Sequence, residues 1–387
     1  MSLTLPLRLD FQSDQSRPVA SLMLLSWLAL LTLGVCMVAS SSVATVPGLL
    51  SRHLLFVLVA LMGMVLVMAL PLQLVRRMHQ FAIWVAIGFC ILVLLPGVGD
   101  EAKGAKRWIR IGSFSLQASE VVKPLVLVYL AGYMERFGHL LGDRTLVLIR
   151  PLIPVGFVCA LLVVEPDFGG AIVLGVAVCG VLFLGGARLR HFLLLGAASA
   201  VLMTGLIYMD GERMSRVTIF LDPWKDPQGD GYQLVQSLIA FGRGEMMGLG
   251  FGESVQKLFY LPEAHNDFII AIVVEELGVA GVFAVMVLFV TLVFGIWNRA
   301  RTHMQNERRF IGYMCYGIGL LFALQFLINV GVCTGALPTK GLTLPFISSG
   351  GNSLIVSCML FALVLRGDAE AAAETTRKLH ARRVRRA

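Results

Sequence analysis

In four places this chain sets ionisable side chains into sequence that is otherwise apolar. Glu120 and Lys123 stand three residues apart at the start of an apolar run, a spacing that puts both groups on one helical face. Glu165 and Asp167 share the turn Glu-Pro-Asp-Phe-Gly-Gly between two apolar runs. Two acids there either bind a cation or cap the next helix, and the position of Asp167 favours the cap. Asp267 lies at the mouth of a further apolar run, two residues after His265. It reads either as a general base whose basicity partial burial raises, or as a helix cap; His265 is a proton relay, a metal ligand or a hydrogen-bonding loop residue. Lys340 is the single charge in 333–353 and either meets a phosphate or snorkels to the interface. Intramembrane charge is costly and marks a site or pathway unless it is internally paired.

The elements that must carry these groups follow from composition. The chain has 387 residues, 57% hydrophobic and 14% charged, with a mean hydropathy of +0.81. Soluble domains carry about a quarter charged residues, so a soluble enzyme is excluded. Apolar runs of spanning length occupy 19–40, 54–74, 81–96, 120–134, 151–164, 168–187, 191–209, 268–297, 310–332 and 353–365. The expected fold is an all-α integral membrane protein, with about ten transmembrane helices in a single bundle and a long outer loop between spans seven and eight. Arg8, Asp10, Asp14 and Arg17 precede a first run that continues as a full span, which argues against a cleavable signal. Lys and Arg crowd the side shared by the termini, notably Arg299, Arg301, Arg308, Arg309 and the tail beyond Arg366, which places both termini in the cytoplasm. The net charge of +8 is therefore read as membrane topology and a lipid-facing tail, with no nucleic-acid partner. The organisation is a cytoplasmic segment 1–18, a polytopic domain 19–366 and a basic tail 367–387. The seven cysteines fall in or beside apolar runs without metal-ligand spacing and read as packing residues.

Outer loops at about 97–119, 210–267 and 333–352 are longer than a bundle needs, and long patterned loops are usually functional. The first carries GAKRWIRIG at 104–112, where Trp108 suits a headgroup boundary and Lys106, Arg107 and Arg110 suit lipid phosphates. Pro124, just beyond Lys123, reads as first-turn geometry. In the second, Leu234, Val235, Leu238 and Ile239 predict a short amphipathic helix. The glycines from Gly242 to Gly252 form neither a Walker loop nor a Rossmann turn, and predict close backbone packing or a mobile lid. The third is apolar enough to re-enter the membrane, which non-helical backbone does only when it is buried in protein or lines a cavity.

In order along the chain, GAKRWI, QASEVVK, EPDFGG, DPW, GYQ, LPEAHNDFI with EELG, and PTKGLTLPFISSGG resemble the SEDS family of shape, elongation, division and sporulation proteins. The resemblance covers about 19–366, and Glu263-Ala264-His265 with Pro338-Thr339-Lys340-Gly341 are more similar to the division branch than to the elongation branch. Ala118, Asn266, Ser349 and Asn352 depart from the residues usual there, without removing a charge.

The resemblance implies a peptidoglycan glycosyltransferase that polymerises lipid II on the outer face of the inner membrane, at the division septum. It implies a class B penicillin-binding protein partner, FtsI in the division branch, among other divisome membrane proteins. By the same route Asp267 deprotonates the acceptor GlcNAc 4-hydroxyl as it attacks the MurNAc anomeric carbon with inversion. Lys123 and Lys340 hold charge developing on undecaprenyl pyrophosphate, and Glu120 orients Lys123. Arg107, Arg243 and Lys257 are secondary candidates for the pyrophosphate or sugar carboxylates. A divalent cation, Mg²⁺ or Mn²⁺, is expected to bridge the phosphates, with no protein ligand set legible. A lipid II flippase and a non-catalytic divisome scaffold are the alternatives; the first would show an inverted repeat with paired broken helices, which the sequence lacks.

Overall fold

The computed structural model describes residues 17–42, 48–97, 99–102, 105–111, 114–209, 211–339 and 341–384. Its helices are α1 (Arg17–Ser42), α2 (Leu49–Ala69), α3 (Leu72–Arg77), α4 (His79–Leu94), α5 (Ala118–Phe137), α6 (Thr145–Val164) and α7 (Phe168–Leu184). They continue as α8 (Leu189–Tyr208), α9 (Gly211–Leu221), α10 (Tyr232–Gly244), α11 (Ile269–Gln305), α12 (Arg309–Cys333) and α13 (Gly351–Val384).

A helix stands at the place of each expected span. Among the described residues, five helices (α1, α2, α6, α11 and α12) are long and apolar enough to cross a membrane on that criterion alone, and α4, α7 and part of α8 are shorter apolar helices. The chain is therefore a multi-pass membrane protein. The last run, 353–365, lengthens into α13, whose polar residues beyond it are paired inside the bundle. On α13, Asp368 meets Arg299 at 3.3 Å and His303 at 2.9 Å, while Glu370 accepts the Leu72 N–H at 2.8 Å. That helix runs without a break past Arg366 into the tail.

Two expectations need correction. Pro124 is not in a first turn, because α5 begins at Ala118, directly from a strand, and the proline lies inside the helix. The second run does not continue to residue 74: α2 ends at Ala69, and Pro71 is followed by the separate short helix α3.

The first outer loop adds strand to an otherwise helical fold. Strands β1 (Gly99–Ala102), β2 (Ala105–Ile111) and β3 (Phe114–Gln117) form an antiparallel sheet in sequential order. Ile109 pairs with Gly99 and Leu116, and is buried. Side chains alternate along a strand, so Arg107 shares the bundle-facing side with Ile109 while Trp108 and Arg110 face away.

The second outer loop supplies the amphipathic helix expected around 234–239, which is α10. The glycines after it are a packing device. Gly244 lies against the Val274 carbonyl and Gly248 against the Glu276 carbonyl, too close for any side chain. They meet α11 where it breaks at Gly278, whose φ of 72° only glycine adopts readily. The break frees peptide groups on both sides, and the loop bonds two on each side. Leu249 and Gly250 N–H donate to Glu275 O (2.9 Å) and Glu276 O (3.0 Å), while Val279 and Ala280 N–H donate to Glu245 O (3.0 Å) and Met246 O (3.2 Å).

Gly278→Ala is expected to lower stability by at least ~2 kcal/mol, through backbone strain and collision with Met246, measured as thermal unfolding in detergent. An unchanged unfolding midpoint would contradict this account of the break.

Candidate active site

Asp267 stands one residue before Phe268, the N-cap position of α11. The third outer loop is folded onto it as non-helical backbone, with Leu342, Leu344, Phe346, Ile347 and Ser348 all buried. Four hydrogen bonds stitch the two segments together. Ser348 Oγ donates to Asn266 O (2.6 Å), and Ser349 N–H donates to His265 O (3.0 Å). Asn329 Nδ2, from α12, donates to both Asp267 O (2.9 Å) and Leu342 O (2.7 Å). Gly341 is held so close that a Cβ there would sit 2.7 Å from Asp267 Oδ2. The carboxylate thus lies against the backbone of the residue after Lys340. Lys340 itself lies outside the described residues.

Contacts lead from this point to the other charged groups. Leu342 touches the start of α7 at Gly169, where a Cβ would be 3.2 Å away. Gly170 then abuts Ser119 on α5, with 2.7 Å available for a Cβ, and the adjacent Glu120 pairs with Lys123 at 2.7 Å. Both partners of that pair are buried. Asp167 caps α7 as expected, accepting from Gly170 N–H at 2.9 Å, and also accepts from Gln117 Nε2 at 3.3 Å. Arg107 reaches the same turn from β2, donating to Glu165 O (3.1 Å) and Pro166 O (2.8 Å). The structure therefore gathers Asp267, the Glu120–Lys123 pair and Arg107 around contiguous loops at one end of the bundle.

Lys257 and Arg243 belong to a second cluster. It lies eight and nine residues further along α11, about 12 Å on by helical rise. Lys257 Nζ meets Glu276 Oε1 (2.8 Å), Ser40 Oγ (2.9 Å) and Gly252 O (2.5 Å), which uses all three ammonium protons. Glu275, wholly buried, accepts from Ser254 Oγ, Gln256 N–H (3.1 Å) and Val255 N–H (3.3 Å), with Arg243 at 3.5 Å. These two glutamates hold the long outer loop on the bundle.

Glu165 differs from both clusters. Its side chain is 1% exposed, and neither carboxyl oxygen is hydrogen-bonded among the described residues. Burial, with the charge of Asp167 added, pushes its carboxyl from 4.5 up to about 8, and the Cys90 thiol and the Arg107 guanidinium offset only part of that.

Reasoning from sequence missed Asn329, Ser348, Gly341 and Ser40. Asn329 carried a signal, being, with Gln325, an amide inside an apolar run, while Gly341 and Ser348 stood within a motif that assigned them no role. Among the described residues, no group of three or more His, Cys, Asp or Glu side chains forms a metal cage.

Residues 20–373 match the sequence model of a family described as cell cycle protein, FTSW_RODA_SPOVE. A probable peptidoglycan glycosyltransferase FtsW of Nitrosococcus halophilus is 45% identical over 353 residues, covering 88% of this chain and 90% of that protein. A second, from Pseudomonas fluorescens, is 42% identical over 356 residues, covering 89% of this chain and 86% of that protein. Among solved structures, a chain from work on polymerization and crosslinking by a peptidoglycan synthase complex aligns with a TM-score of 0.75 at 26% identity, covering 90% of this chain and 97% of that one. The rod shape determining protein RodA of Thermus thermophilus aligns with a TM-score of 0.66 at 24% identity, over 89% of this chain and 95% of that one, a likeness of fold.

Two measurements check this geometry. A group with a raised folded-state pKa stabilises fully below its unfolded value and loses that contribution as pH rises through the folded one. Glu165→Gln is therefore expected to match wild type below about pH 4.5, and to unfold at higher temperature than wild type as pH approaches 8. Parallel pH profiles would show the carboxyl to be ordinary. Lys257→Met, which strands the buried Glu276 charge, is expected to cost about 3–5 kcal/mol, most of it recovered by adding Glu276→Leu. Stability unaffected by the single change would free Lys257 for another role.

Proposed function

The chain belongs to the cell cycle protein family of FtsW, RodA and SpoVE, and we propose that it is the septal member, a peptidoglycan glycosyltransferase that polymerises lipid II into β-1,4 glycan strands. The observation that carries the reading is the carboxylate of Asp267, held against Gly341 at the foot of the loop that bears Lys340.

In this reading Asp267 takes the proton from the acceptor 4-hydroxyl, which attacks the donor MurNAc anomeric carbon. The bond to the pyrophosphate oxygen breaks, configuration inverts, and undecaprenyl pyrophosphate leaves with the electron pair. Lys123 and Lys340 receive the developing charge, and a fixed cation in a dry site does this without reorganising. Glu120, 2.7 Å from the Lys123 ammonium, holds it in place. Arg107, held on the Glu165–Pro166 turn, is assigned to the pyrophosphate in this reading. Arg243 and Lys257 act at a distance, by fastening the outer loop to α11. In this reading a Mg²⁺ or Mn²⁺ ion would travel with the substrate phosphates, since no group of three or more His, Cys, Asp or Glu side chains is placed among the described residues to hold one alone. The site end of the bundle faces the periplasm, both termini are cytoplasmic, and a class B penicillin-binding protein, FtsI, crosslinks the strands at the septum alongside other divisome proteins.

The test is gel-resolved polymerisation of labelled lipid II by the purified protein with its penicillin-binding partner. Asp267→Asn is expected to cut the rate ~10²-fold or more with folding intact, the scale of a positioned base. Wild-type ladders from that variant would leave the scaffold or flippase alternatives.

A further inference from the structure

The site contains a buried amide to which nothing above gives a chemical role. Asn329 is 1% exposed, one turn from the C-terminal end of α12 and one turn after the other buried amide of that helix, Gln325. Its partners are two backbone carbonyls on different loops, Asp267 O at 2.9 Å and Leu342 O at 2.7 Å. Both are acceptors, so only the NH₂ end of the amide can face them, and each takes one of its two protons. Neither bond belongs to secondary structure. The Asp267 carbonyl lies outside the α11 ladder, because Ala271 N–H donates to Phe268 O at 2.9 Å. Leu342 directly follows Gly341, whose α-carbon faces the Asp267 carboxylate. Cys333, one helical turn beyond Asn329, places its Sγ 3.7 Å from the same Asp267 oxygen.

We propose that Asn329 is a positioning residue, whose single amide fixes the separation between the Asp267 carboxylate and the segment bearing Lys340. The inference rests on the reading of Asp267 as the base. A rigid span suits the task better than a loop would. The reaction needs the base at the acceptor hydroxyl and the cation at the leaving group at the same moment, and an error of about 1 Å between them costs ~10²-fold in rate. Both loops are irregular backbone, and α12 is the one long helix that bonds to both through a side chain among the described residues.

The experiment compares Asn329→Leu, Asn329→Ser and Asn329→Gln with wild type and Asp267→Asn, each purified with the penicillin-binding partner. Initial rates are taken against lipid II concentration and normalised to folded protein. Leu and Ser are expected to lower kcat ~10²-fold while KM stays within about threefold. Gln keeps both donors on a longer arm, and is expected to recover about tenfold over Ser. A merely structural amide would lower the folded fraction and leave turnover per folded molecule unchanged, which overturns the proposal. If Leu blocks folding, Ser carries the test, and wild-type kcat from Ser likewise overturns it. An inactive Asp267→Asn beside fully active Asn329 variants refutes the positioning role alone. An active Asp267→Asn refutes the base and the positioning role together.

Discussion

A peptide group that leaves a helix inside a bilayer has no water to bond to, so protein must supply its partner. Most of what is distinctive in this structure answers that constraint. Where α11 breaks at Gly278, the glycine-dense strap 245–250 bonds freed groups on both sides of the break. Where the third outer loop runs through the bundle, Ser348 Oγ accepts from Leu344 N–H (2.8 Å) and donates to Asn266 O (2.6 Å), and Asn329 closes the remaining gap. Irregular backbone is what lets a carboxylate and a lysine-bearing segment converge. A continuous helix would turn each away from the other within a few residues.

The same constraint sorts the charges. Buried ions need partners, and a partner uses up bonding capacity that a substrate would otherwise take. Lys257 has all its protons committed, and so acts as a rivet. Among the described residues Lys123 makes one hydrogen bond, to Glu120, which leaves two of its three protons uncommitted there. Arg107 is attached through backbone carbonyls of the Glu165–Pro166 turn and thus keeps its charge uncompensated by a carboxylate there. Glu165 on the same turn resists ionisation, which keeps this end of the bundle from gaining a further negative charge.

Sequence pattern revealed the parts whose cause is local. Apolar runs located the helices, Asp167 was legible as a cap from the turn it follows, and four apolar residues located α10. The sheet was not legible, because its alternation covers only the seven residues of β2, three of them cationic and none of them flanked by ordinary strand neighbours. The break in α11 was hidden inside a run that reads as one span. The meetings of Asn329 with Asp267 and of Lys257 with Ser40 were opaque for a different reason: the partners lie 62 and 217 positions apart in the chain, and no periodicity encodes such a meeting.

The most direct measurement is a structure of the complex with its penicillin-binding partner and a lipid II analogue bound. The account predicts the pyrophosphate between Lys123 and the backbone around Gly341, with the acceptor 4-hydroxyl within ~3.2 Å of the Asp267 carboxylate. A pyrophosphate seated instead on the Arg243 and Lys257 cluster, with Asp267 remote from any sugar hydroxyl, would contradict it.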